Sequence, residues 1–247
     1  MLESAYVFGD PSPYRAWLRN LARAANSSES VHDAGHALLE VRGLSYGFDA
    51  RGTTSSEEML LRSHDLPSVR GGSVSETNRT DYMALLRSPG AGLSLDDVVQ
   101  RLRREPESKS ATVQFPVTAT AKPCLTTLDF KLRNGHIELT AFFRSQDVWR
   151  RQPANNAFLL DCVRLVAIQL GVQPGLVRVV VASAHVQEAD LPGIQTFLHH
   201  AFVAVLDVPS DRPAVVAVVG RERPHGDLAG KPQAYFEAYS DGFRTGP

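Results

Sequence analysis

Sulfur and tryptophan are scarce in this chain, with two cysteines, three methionines and two tryptophans among 247 residues. Cys124 and Cys162 alone make no disulfide framework, which suits a reducing compartment and sets the expectation of a cytoplasmic protein. Long apolar runs are missing too. Val177 to Ala184 and Ala214 to Gly220 fall far short of the roughly 18–20 residues that cross a bilayer, and Met1-Leu2-Glu3-Ser4 lacks the basic and apolar segments of a secretory leader. Neither sign of charge dominates. The formal net charge is −1 with both signs dispersed, so no nucleic acid polymer and no anionic membrane is an expected partner. No Gly-x-x-x-x-Gly-Lys loop and no dinucleotide fingerprint occurs. An anionic ligand would therefore need a local cluster of donors.

What is present suits one globular domain spanning residues 1–247, since 43% of the residues are hydrophobic and 21% charged. Tyr14 to Ala25 reads as an amphipathic helix, with Trp17, Leu18 and Leu21 inward and Arg15, Arg19 and Arg23 outward. Arg62 to Asp81 is polar and rich in Ser, Gly and Asn, the composition of a surface loop. Leu95 to Arg103 reads as a helix capped by Ser94. Strands are expected at Thr112 to Thr118, Leu125 to Leu132 and His136 to Phe143, the last two forming a hairpin about Asn134-Gly135. A buried helix from Asn156 to Leu170 ends at Gly171, and Cys162 on it reads as core. A strand from Leu176 to Ala184, a helix near Leu191 to His200, and β-rich segments at Ala201 to Val208 and Ala214 to Val219 complete the reading.

The chemistry-bearing residues fall in one ordered set. Cys124, after Pro123, stands twenty positions before Arg144, and the hairpin between them can bring thiol and guanidinium together. A free thiol ionises near pH 8.5, so a nucleophilic cysteine needs a neighbouring cation. The same guanidinium can clamp an anion, with Ser145 donating a further hydrogen bond. Asp147 follows, and then Pro153-Ala154-Asn155-Asn156 at the mouth of the apolar helix, where a carboxamide can both donate and accept. His32 and His36, four apart with Asp33 between, and His199-His200 show no third and fourth ligand spacing, so no metal is expected.

Pro-Cys, a hairpin, Arg-Ser-x-Asp, a short loop, Pro-x-Asn and a long helix make up a pattern that resembles the thymidylate synthase family, with every residue in order and at the same gaps. The likeness is good from about Arg101 to Asp190 and thin elsewhere. It implies an α/β (α+β) fold with a mixed β-sheet sandwiched by helices, and a homodimer formed sheet against sheet with shared active sites. It implies one-carbon transfer from 5,10-methylenetetrahydrofolate to C5 of a uracil-type nucleotide, giving a methyl or hydroxymethyl product. By resemblance Cys124 is the nucleophile at C6, Arg144 and Ser145 hold a phosphate, and Asn155 reads the base. Asp147 meets the folate and His185 binds the sugar, with Gln187 where the family has tyrosine. Glu58, in a stretch with Ala37 to Val41 upstream, matches the family's acid/base glutamate, and Tyr82 its active-site tyrosine. Lys109, standing with Ser110 where the family has two arginines, would act in the partner's site.

Departures from that pattern share a direction. The family's Arg-Thr-Gly loop reads Val31-His32-Asp33-Ala34-Gly35 here, Arg151 replaces a glycine after Asp147, and Leu125 replaces a histidine after the thiol. The tryptophans beside the folate are absent, since Trp17 and Trp149 lie elsewhere. These changes point to a specialised enzyme, as in modified-nucleoside synthesis. The alternative is a non-catalytic homologue that binds a nucleotide or serves as a subunit; the retained Cys124 argues against it, because a binder needs no thiol.

Overall fold

In the computed structural model, residues 9–10, 12–63, 82, 86, 94–115 and 123–206 are described. The expected loop from residue 64 onward, the end of the strand expected at Thr112 to Thr118, and the strand expected at Ala214 to Val219 lie outside these residues. In chain order the elements are β1 (Gly9–Asp10), α1 (Pro13–Ala25), β2 (Glu29–Asp33), β3 (His36–Asp49), α2 (Ser55–Ser63) and α3 (Leu95–Arg104). There follow β4 (Thr112–Gln114), β5 (Leu125–Arg133), β6 (His136–Phe143), β7 (Gln146–Asp147), α4 (Gln152–Leu170), β8 (Gln173–Gln187), a 3-10 turn (Glu188–Asp190) and α5 (Leu191–Leu206). The chain divides into two compact units, with boundaries inside α1, β3 and β8.

The first unit, residues 1–17 and 42–184, carries a mixed sheet in the order β1-β3-β8-β6-β5-β4, with β7 paired to β8. β5 and β6 are antiparallel, and their register runs from Arg133↔His136 to Leu125↔Phe143. The turn between them needs two residues with positive φ, and Asn134 (50°) and Gly135 (75°) supply them, as the Asn-Gly pair predicts. Parallel β6 and β8 need a crossover, and α4 provides it. Alternation sends Leu128, Phe130, Ile137, Leu139, Ala141, Val177 and Val179 inward. α4 packs on β6, with α2 and α3 against α4. Each such fully buried Leu, Ile, Val or Phe side chain contributes about 1.5–3 kcal/mol of transfer free energy.

α4 starts at Gln152, four residues before the expected Asn156. Pro153 tolerates the first turn, where its missing N–H has no partner to lose. Leu159, Val163, Val166 and Ala167 are buried as expected, yet Ile168 is 76% exposed, so one edge of the helix is uncovered among the described residues. Ser94 caps α3 through a reciprocal box with Asp97. An unforeseen box starts α2: Thr54 N–H donates to Glu57 Oε2 at 3.1 Å, and Glu57 N–H donates to Thr54 Oγ1 at 3.2 Å.

In the second unit, residues 18–41 and 185–247, β2 and the start of β3 form a hairpin that turns at Ala34-Gly35. The Val31 to Gly35 segment is thus a hairpin and its tip, with His32 exposed on the strand. Ser27 Oγ donates to the Glu40 carbonyl, and Ser30 Oγ donates to Glu188 Oε1 at 2.9 Å. α5 runs through Leu206, so the β-rich reading of Ala201 to Val208 fails over Ala201 to Leu206. A run that is apolar on all sides carries no period to separate strand from helix.

Candidate active site

β5 and β6 place the two residues at their open end opposite each other. The ladder closes on Leu125↔Phe143, and one step further the Arg144 N–H donates to the Cys124 carbonyl at 2.9 Å. Arg144 Nε donates to the Pro123 carbonyl at 3.2 Å, so the guanidinium lies against the Pro123-Cys124 segment. A bulge after Leu125 is pinned by Thr126 Oγ1, which donates to Phe142 O at 2.9 Å. Cys124 itself is half-buried, whereas Cys162 is buried and its thiol is pushed far up by that burial, as suits a core residue.

Tyr82 joins this corner. Its hydroxyl accepts the Leu125 N–H at 3.3 Å, one residue from the thiol, and its ring meets Phe115 at 5.7 Å and Phe158 of α4 at 5.4 Å. Burial raises the Tyr82 pKa above its ordinary value, and the charges of Cys124 and Arg151 act on it in opposite senses. Arg151, Asn155 and Phe158 follow at i, i+4 and i+7, so they share the face of α4 that meets Tyr82.

The loop into α4 is a tight turn. Asp147 Oδ1 accepts the Arg150 N–H at 2.7 Å, and the Arg151 N–H donates to Asp147 O at 3.0 Å. Trp17 Nε1 donates to Val148 O at 2.8 Å, and its ring stacks on Trp149 at 6.3 Å, which fixes the turn from behind. Ser145 is half-buried between β6 and β7.

The two adjacent asparagines part company. Asn156 is fully buried, accepting from Tyr46 Oη at 2.9 Å and donating to Pro13 O at 3.0 Å. Asn155 makes no side-chain hydrogen bond among the described residues and keeps 8% exposure. Asn155 is therefore the amide available to a ligand.

The other expected site residues belong to other elements or to the loops between them. Glu58 sits on α2, where Arg164 and Arg62 each donate to it at 2.7 Å, and Arg62 also pairs with Asp161 at 2.7 Å. Those arginines hold its carboxyl below the ordinary range, whereas a general acid at neutral pH needs the reverse. Its surroundings are those of a clamp between α2 and α4. Lys109 is exposed, with its carbonyl 3.4 Å from Lys131 Nζ, seven residues along β5 from Cys124 and so ~23 Å away by strand rise. His185 and Gln187 end β8 and belong to the second unit.

Among the described residues no three His, Cys, Asp or Glu side chains cluster as metal ligands, and no helix is long and apolar enough to cross a membrane. Sequence reasoning missed the buried group formed by Tyr46, Gln146, Gln152 and Asn156. Its one signal is the alternation Leu44, Tyr46, Phe48, which turns Tyr46 inward.

The family model for thymidylate synthase matches residues 45–209, more than half of the chain. The chain belongs to the thymidylate synthase family. Three archaeal relatives, each named "Putative thymidylate synthase", are similar to it. The one from Methanosarcina acetivorans is 37% identical over 39% of this chain and 46% of its own length. The one from Methanosarcina mazei is 30% identical over 56% and 65%, and the one from Methanosarcina barkeri 28% over 71% and 86%. The match thus spans about half to two thirds of the first two relatives. The thymidylate synthase pattern of thiol, arginine, aspartate and asparagine runs through the matched region, and the mixed sheet with five helices among the described residues suits that fold.

Proposed function

We propose that this thymidylate synthase family member transfers a one-carbon unit to C5 of a uracil-type nucleotide through a covalent adduct at C6. The observation that carries the reading is the bonding of the Arg144 backbone N–H and Nε to the Cys124 and Pro123 carbonyls, which lays the guanidinium against the segment that holds a half-buried thiol. C5 of uracil is a weak nucleophile. The Cys124 thiolate would add to C6 and the ring's 5,6 electron pair move toward C5 and O4, so that C5 can bond to the one-carbon unit that methylenetetrahydrofolate would supply; loss of the C5 proton with release of the folate nitrogen, and then hydride from the folate or water added at the new carbon with expulsion of the thiolate, would give the methyl or hydroxymethyl ring.

Asn155 reads the ring by accepting from N3–H and donating to O4. Tyr82, tied to the backbone beside the thiol, is placed to pass a proton at the pyrimidine. Arg144 and Ser145 take the anionic group, and His185 with Gln187 keeps the sugar-binding role. Glu58 is assigned to the α2–α4 clamp instead of proton transfer. Methylenetetrahydrofolate supplies the one-carbon unit. The half-buried Asp147 carboxylate fits a pterin's N–H donors and would hold it. Trp17 and Trp149, stacked on each other, provide no indole wall there, so water competes and hydroxymethyl accompanies methyl product.

The outer sheet face, with Thr127, Thr140, Phe142, Val180 and Ala182, supports a sheet-against-sheet homodimer, and Phe142 is 42% exposed on it. Lys109, far from its own Cys124, then serves the partner's site.

The test is tritium release into water from C5-labelled UMP, dUMP and their nucleosides, with and without methylenetetrahydrofolate, in wild type and Cys124→Ala. Thiol-dependent release is expected, and mass spectrometry separates the two products. No release from any of these compounds would favour a nucleotide-binding homologue instead.

A further inference from the structure

Four polar side chains are buried together where the turn after Asp147 leads into the first turn of α4. The Tyr46 hydroxyl donates to Asn156 Oδ1 at 2.9 Å and lies 3.5 Å from Gln146 Oε1, with the Gln152 amide beside it. Asn156 Nδ2 donates to Pro13 O at 3.0 Å. None of the four residues is more than 1% exposed. Yet among the described residues Gln146 Nε2 and both amide atoms of Gln152 make no hydrogen bond of normal geometry, although the Gln152 amide lies close enough to the Tyr46 hydroxyl to act on it. Buried amides are nearly always satisfied by protein or by ordered water, and an internal water needs two to four polar neighbours. Two orphaned donors and one orphaned acceptor around a single hydroxyl meet that requirement.

We propose that this cluster is an internal water site, and that Tyr46, Gln146, Gln152 and Asn156, bridged by that water, form the frame that positions Asp147, Arg151 and Asn155. Each buried amide is the chain neighbour of a residue it would hold. Gln146 precedes Asp147 on β7, where successive side chains point to opposite faces. Gln152 follows Arg151, and Asn156 follows Asn155, on a helix that turns about 100° per residue. The chain therefore fixes one set of side chains in the interior and turns the other set away from it. Tyr46 is a positioning residue here, since it reaches Asn155 only through Asn156. The catalytic value of the frame rests on the function proposed above, whereas the water site does not.

The first experiment is a crystal structure of the wild-type protein at a resolution that shows ordered water. Density joining the Gln152 amide to Gln146 or Tyr46 is expected, and a dry cluster overturns the proposal. Hydrogen exchange then reads the frame in Tyr46→Phe and Gln152→Met, the second being close in volume should the first fail to fold. The amides of Arg150, Arg151 and Asn155 should exchange at least tenfold faster, with Val163 to Leu170 unchanged. No change, or equal acceleration throughout α4, refutes the positioning role. In the tritium assay Gln152→Met should lower kcat/KM at least tenfold, with KM rising as Asn155 loses its position. A wild type that releases no tritium would sink the proposed function alone, and the density and exchange data would still decide the frame.

Discussion

Replacing each of the two neighbouring asparagines with alanine should produce opposite phenotypes. Asn156→Ala strands the Pro13 carbonyl and leaves the Tyr46 hydroxyl only its longer contact to Gln146 Oε1 at 3.5 Å, in a fully buried place. A buried polar group left without its partner costs about 1–3 kcal/mol, so one lost outright and one weakened put the loss at about 2–4 kcal/mol. For a domain of this size that is a fall in Tm of about 4–16 °C. Asn155→Ala removes an amide that bonds to nothing among the described residues, so its stability should stay within about 1 kcal/mol of wild type. Its loss should appear as weaker binding of the uracil ring, by about 10–100-fold for one or two neutral hydrogen bonds. Thermal unfolding followed by circular dichroism, and calorimetric titration with dUMP and UMP, separate the two effects. A stable Asn156→Ala beside an unfolded Asn155→Ala would reverse the assignment and refute the placement of the α4 face.

Three further outcomes follow from the same geometry. Arg144→Lys loses the Nε bond to Pro123 O and the planar fork, and should cut tritium release by about 10–150-fold, the worth of one charge-assisted contact; an unchanged rate removes Arg144 from the thiol's environment. The Glu58 carboxyl is held low chiefly by Arg164 and then by Arg62, so its pairs stabilise the fold above the unfolded pKa of about 4.3 and lose effect as pH falls through the lower folded value. Glu58→Gln should thus cost about 1 kcal/mol at pH 7 and converge with wild type near pH 3, and an equal deficit at both pH values would contradict the clamp. Mixing Lys109→Ala with Cys124→Ala should restore part of the activity through hybrid dimers, and complete failure of the mixture excludes a shared site.

The hairpin, α1, α3 and the crossover helix were legible because each rests on a local signal: Asn134-Gly135, the spacing of Trp17, Leu18 and Leu21, the Ser94 cap, and the stop at Gly171. The early start of α4 was not, because Gln152, Pro153 and Asn155 look like a polar loop until the fold buries all three. Ala201 to Leu206 was misread as β because β-branched and aromatic residues favour strands, and the continuing helix overrode that preference. The pairing of Cys124 with Arg144 could be read from spacing across a hairpin whose register the turn fixes. Glu58 could not be judged, since its partners Arg62 and Arg164 come together only when α2 lies on α4. Tyr46 stayed invisible for the same reason, its partners lying 100 and 110 residues away.

The placement of cations carries a consequence for the substrate that no count of arginines would give. Arg62 and Arg164 are committed to Glu58 and Asp161, while Arg144 is turned to Pro123-Cys124 and Arg151 acts on Tyr82 beside them. A phosphate held by Arg144 and Arg151 gains two charge-assisted contacts at about 1.5–3 kcal/mol each, hence a preference for monophosphate over nucleoside of roughly 10²–10⁴ in kcat/KM. Arg151→Gly should lower that preference by about 10–150-fold if Arg151 supplies one of the contacts, and leave the nucleoside rate nearly unchanged. A wild-type preference well above 10⁴ would require cations from a second copy of the chain, and would then fall as the protein is diluted below its dimer dissociation constant. A preference below 10 would mean that neither guanidinium reaches the phosphate, and that ring recognition by Asn155 and the thiol selects the substrate.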